Sequence, residues 1–175
     1  MLILNILLTL FFVLLNGFFV AAEFAIVKVR QSQLELRIRA GSYFAKFAQN
    51  LTSHLDTYLS ATQLGITLAS LGLGWIGESV VSNIIIEIMQ LLGINLEPHI
   101  AHKIALPTAF ILITILHIVF GELAPKSLAI RRAESVSIAI ALPLRVFYIV
   151  FSPFIWLLNS FANMIVKMLG FEPVT

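Results

Sequence analysis

The chain has 175 residues, one domain's length, of which 59% are hydrophobic and 11% charged, with a mean hydropathy of +1.00. That composition excludes an ordinary soluble domain and marks a membrane protein. Eleven Lys and Arg against nine Asp and Glu leave a formal charge of +2, too weak a basic field for nucleic acid, and with no cysteine there is no disulfide, thiolate metal site or thiol nucleophile.

Residues 1–22, 57–77, 104–121 and 146–166 carry no charged side chain. Each stretch approaches or exceeds the roughly 18 to 20 residues that cross a bilayer as a helix. Spans are therefore predicted at about 2–27, 55–77 and 103–124. The first lacks a basic leading segment and is long for the apolar part of a secretory signal, which favours a retained span.

Between the first two spans, residues 28–46 hold Lys28, Arg30, Arg37, Arg39 and Lys46 with Leu34, Ile38 and Phe44 interspersed, the pattern of an interfacial helix. Residues 78–103 carry Glu78, Glu87 and Glu97 with Lys103 as the basic residue, whereas Lys126, Arg131 and Arg132 follow the third span. The positive-inside bias places the two basic segments in the cytoplasm and the N-terminus outside. Within the outer segment, residues 79–93 predict a short helix on the membrane face, capped at Gly93.

Pro143, Arg145 and Pro153 interrupt the last apolar region, and proline usually kinks or ends a helix. A re-entrant hairpin over about 135–170, leaving the C-terminus cytoplasmic, is expected there, with a simple fourth span as the alternative. The fold class is thus all-α: three transmembrane helices, a re-entrant helical hairpin and amphipathic interfacial helices, over residues 1–175 as a single domain.

Polar residues inside the spans are the functional candidates. Asn16 and Glu23 are seven residues apart, on one helix face. Asn16 suits either helix packing or ion contact; Glu23, near Lys28 and Arg30, suits a snorkelling ion pair. In the second span Ala61, Gly65 and Ala69 form a four-residue small-side-chain stripe, used in close helix packing and in dimers. Ser60, Gln63, Thr67 and Ser70 align side-chain oxygens on another face, although Ser and Thr also bond back to their own helix.

The third span ends in "HIVFGELAPK". Glu122 at the bilayer centre would cost roughly 2.5–3.5 kcal/mol, and less near an interface, so it needs a partner or a task. Pro125 has no N–H, so in an α-helix the carbonyl of Gly121 loses its donor beside that carboxylate. A carboxylate next to a released carbonyl suits a small hard cation; the rival is an i to i+4 ion pair with Lys126. His117, without a second metal-ligating neighbour, is assigned to packing.

The stretches "NGFFVAAEFAIVKVRQSQLE", "YLSATQLGITLASLGLGWIGE" and "HIVFGELAPKSLAIRRAE" together resemble the transmembrane domain of the CorC/CNNM family, the hemolysin-C-like proteins of magnesium transport. The resemblance covers nearly the whole chain. It implies a homodimer with three transmembrane helices and a hairpin per protomer, in the cell membrane, holding a dehydrated Mg²⁺ between helices, with export coupled to Na⁺ in some members. Glu122 matches the family's carboxylate ligand, and Pro125 and Lys126 the rest of that motif. Many members have serines where this chain has Val20 and Ala22, and Gly-Asn where it has Gly65-Ile66. Asn16, Thr62, Gln63, Thr67, Ser70 and the Gly121 carbonyl are the candidates to supply oxygens instead. Members continue into cytosolic CBS domains, which are expected beyond this chain. Ion transport is the leading function, and a non-transporting scaffold or sensor for a partner transporter is the alternative. No catalytic triad, carboxylate pair or phosphate loop has usable spacing, so an enzyme is not expected.

Overall fold

The computed structural model of the chain describes residues 2–94 and 96–171. Its elements are all helical: α1 (Leu2–Lys28), α2 (Gln31–Arg39), α3 (Tyr43–Ser53), α4 (Leu55–Leu91), α5 (Pro98–Leu116), a π-helical segment (His117–Leu123), α6 (Ala124–Arg131) and α7 (Ala133–Met168). Four helical stretches are long and apolar enough to cross a membrane: α1, α4, α5 continued through α6, and α7.

The basic segment forms two helices rather than one. Gly41 at φ +89° ends α2, and the Ser42 amide donates back to the Arg37 carbonyl at 2.9 Å, a Schellman closure that only glycine enters without strain. The predicted short outer helix is not separate either: α4 runs unbroken from Leu55 to Leu91. No proline lies within it, so nothing removes a ladder donor until the turn at Gly93. There φ is +77° and the Ile94 amide donates to the Met89 carbonyl at 2.9 Å, as the cap prediction requires.

The re-entrant hairpin is not formed. Ala133–Met168 is one 36-residue helix with Pro143 and Pro153 inside it. Pro153 deprives the Ile149 carbonyl of its donor, and the Ser152 hydroxyl supplies one at 3.2 Å, so the helix continues across the proline.

The chain divides into two compact units. The first comprises residues 1–21 and 65–128. Its core joins Val13, Leu73 and Ile113, flanked by Phe12 and Val81, and α5 turns Ala101, Ala105, Ala109 and Ile113 inward at four-residue spacing. Helix approach is closest at Gly65 and Gly72, where an added Cβ would lie 2.5 Å from the rings of Phe19 and Phe12.

The second unit comprises residues 22–64 and 129–175. Ala61, Leu64 and Ile155 form its core with Phe147, Tyr148 and Phe151 against them. The Arg145 guanidinium sits 5.2 Å from the centre of the Phe47 ring, so α7 packs beside the amphipathic α3. Arg37 Nε donates to Glu134 Oε1, tying α2 to the first turn of α7.

Candidate functional site

The π-helical segment follows from Pro125. Its ring crowds the preceding turn and its nitrogen cannot donate, and the helix responds by widening over His117–Leu123, the kind of local expansion that recurs at functional sites. The Ala124 amide accordingly donates to Val119, five residues back. Residues around Gly17 of α1 pack directly on this widened turn. A Cβ at Gly17 would lie 3.0 Å from Pro125 Cγ and 3.1 Å from the Phe120 carbonyl oxygen, and one at Gly121 would lie 2.9 Å from His117 Cδ2 and 3.0 Å from Asn16 Nδ2. Gly17 thus lets α1 approach the widened turn, and Gly121 makes room for the Asn16 amide.

Asn16 is buried, with 2% of its surface exposed. Its Nδ2 donates to the Gly121 carbonyl at 3.0 Å and approaches His117 Nε2 at 2.9 Å. Ser70 Oγ donates to Asn16 Oδ1 at 3.2 Å and lies 3.3 Å from His117 Nε2. The Gly121 carbonyl can only accept, which fixes the amide nitrogen on its side. Nε2 of His117 accepts from that nitrogen when the ring proton sits on Nδ1. Three helical segments, α1, α4 and the π-turn, meet in one polar network.

The Gly121 carbonyl is therefore not bare, since Asn16 holds it. Among the described residues no ion pair joins Glu122 to Lys126. Glu122 is exposed on the surface of the single chain, while Lys126 and Glu23 are half-buried and neither is free. Of the predicted oxygen stripe, Ser70 reaches Asn16; Thr62 is fully buried and its hydroxyl donates to the Leu59 carbonyl of its own helix at 2.8 Å. Gln63 and Thr67 are exposed on the chain. Gly65 has a packing role against Phe19, and Ala61 packs with Ile155, so the small-residue stripe is used within the chain.

His117 is the participant that reading the sequence assigned to packing. An ionisable side chain one helical turn before Gly121 in a membrane span was the signal that could have found it. A cavity of about 160 Å³ opens beside the network, lined by Ser70, Gly74, Glu78, Thr114 and His117 among others. Among the described residues no three His, Asp or Glu side chains cluster. The groups that meet here are an amide, a hydroxyl, a backbone carbonyl and an imidazole; the hard oxygens among them suit a cation such as Mg²⁺ or Na⁺ better than the single imidazole suits a transition metal.

These features coincide with a known family. The family model described as the cyclin M transmembrane N-terminal domain (CNNM) matches residues 7–175, and this chain belongs to that family. It is 44% identical over 173 residues to the UPF0053 protein YhdP of Bacillus subtilis, covering 99% of this chain and 38% of that protein. YugS of the same bacterium is 45% identical over 174 residues, covering 99% and 40%. The UPF0053 protein MT1890 of Mycobacterium tuberculosis is 33% identical over 158 residues, covering 90% and 34%. The chain thus spans some two fifths or less of these relatives' lengths.

Proposed function

We propose that this chain is the ion-carrying membrane domain of a homodimeric Mg²⁺ exporter driven by Na⁺ entry, with its basic segments 28–46 and 126–132 in the cytoplasm. Family membership supports a transport role, and the site chemistry supports a hard cation. The observation that carries the reading is the buried Asn16 amide clamped to the Gly121 carbonyl, one residue from the Glu122 carboxylate. Mg²⁺ is taken as cargo, bound through one or two carboxylates with neutral oxygens and retained waters completing its shell. Glu122 supplies the charge, and Asn16 Oδ1, Ser70 Oγ and the Gly121 carbonyl supply the neutral oxygens.

The exposed carboxylate also supports the homodimer. Facing lipid, Glu122 would carry the insertion penalty of roughly 2.5–3.5 kcal/mol near mid-membrane. A second copy or an aqueous vestibule formed with it relieves that penalty.

Glu122→Ala is expected to abolish both Mg²⁺-dependent thermal stabilisation and Mg²⁺ flux in proteoliposomes. Calorimetric Mg²⁺ binding that survives in the variant overturns the assignment. Absence of flux from the wild-type full-length protein would instead favour a scaffold or sensor role.

A further inference from the structure

A second cleft, which shares no lining residue with the Asn16 network, lies wholly in the second unit. It has a volume of about 620 Å³ and is lined by Lys28, Arg30, Gln33 and residues 130–135, within the range of small-molecule sites. Lys28 ends α1, Arg30 precedes α2, Arg131 ends α6, and Arg132 precedes α7. Two short basic stretches some hundred residues apart in sequence are therefore brought to one cleft by the fold.

The charge in this cleft is uncompensated. Among the described residues, Lys28, Arg30, Arg131 and Arg132 form no ion pair. The acidic side chain in the lining, Glu134, is already taken by Arg37. Arg132 provides no side-chain cap for α7, so the first-turn amides at residues 133–135, which also line the cleft, add partial positive charge. Four cations sharing one concavity repel each other unless an anion enters. Guanidinium groups match phosphate oxygens in paired hydrogen bonds, and a basic recess where spans meet the cytoplasmic surface is suited to a phospholipid headgroup.

We propose that this cleft is a binding site for a phosphate-bearing anion, with Lys28, Arg30, Arg131 and Arg132 as its wall. The phosphate is either free or the headgroup of an anionic phospholipid, and the site does not depend on which ion the protein carries.

The experiment uses the full chain in two settings. In detergent, the thermal midpoint is measured against inorganic phosphate, with chloride at equal ionic strength as the reference. In nanodiscs, phosphatidylcholine is compared with phosphatidylcholine plus phosphatidylglycerol. Stabilisation by phosphate in detergent assigns a free anion; stabilisation in phosphatidylglycerol discs alone assigns a headgroup.

Arg131→Gln with Arg132→Gln is expected to weaken binding on the order of fivefold per cation removed, about 25-fold for the pair. The charge-matched pair Arg39→Gln with Lys46→Gln, outside the lining, is expected to leave it nearly unchanged. Should the first pair fail to fold, Lys28→Gln with Arg30→Gln carries the same expectation. No stabilisation in either setting, or equal losses from cleft and control pairs, overturns the site, because a diffuse surface field depends on charge number and not on position.

Discussion

Asn16 occupies a place where one amide meets a carbonyl, an imidazole and a hydroxyl. Replacing it by Leu keeps the volume but leaves the Gly121 carbonyl and the Ser70 hydroxyl without that partner, which is expected to cost about 2–4 kcal/mol. Ser70→Ala removes one donor and is expected to cost about 1 kcal/mol. Denaturation of both variants in one detergent checks the order, and Mg²⁺ titration should fail in Asn16→Leu while weakening in Ser70→Ala. Asn16 and Ser70 were legible as polar residues in spans. The pairing of Asn16 with His117 was not, because they are a hundred residues apart in sequence and nothing local joins them.

At the scale of elements, glycine placement makes a contrast within α4. A Cβ at Gly65 would meet the Phe19 ring at 2.5 Å, whereas one at Gly74 meets nothing within 4 Å. Gly65→Ala is therefore expected to destabilise by about 1–3 kcal/mol through overpacking. Gly74→Ala is expected to be neutral or to gain about 0.5–1 kcal/mol from reduced backbone freedom. Thermal unfolding of the two variants side by side separates these outcomes. Pro125→Ala restores an amide at the turn, which can compete with Asn16 for the Gly121 carbonyl and relax the π-segment toward α. A more stable protein with weaker Mg²⁺ binding is expected, read by unfolding and calorimetry together. The proline and the carboxylate were visible in the sequence, but the close packing of α1 on the widened turn at Gly17 was not.

Helix α7 shows why interruption signals alone misread this fold. Pro143 and Pro153 suggested a hairpin, yet a serine hydroxyl takes the Ile149 carbonyl and Arg145 stacks on Phe47. At about 1.5 Å per residue, a 36-residue helix exceeds one bilayer crossing. Its first third, ending at Arg145, is placed by these contacts beside the amphipathic α3, and the charge-free residues 146–166 are the part suited to the hydrocarbon. Cysteine at Ser135 is expected to react with a membrane-impermeant maleimide, and cysteine at Val150 is not.

Across the whole molecule, between 22% and 33% of an apolar 18-residue window in each candidate span is buried within the chain. The remaining apolar surface must be covered by lipid or by a second copy. Sequence alone determined the class of this protein, since hydropathy and the length of charge-free runs respond only to the solvent around a segment. It also determined which residues are unusual there: Asn16, Glu122 and Pro125. Tertiary structure decided how they are used. Only helix packing brings the Asn16 amide to the Gly121 carbonyl, turns His117 from a packing residue into part of that network, and assembles two distant basic stretches into one cleft. Such pairings depend on distances across space, for which periodicity along a single chain holds no signal.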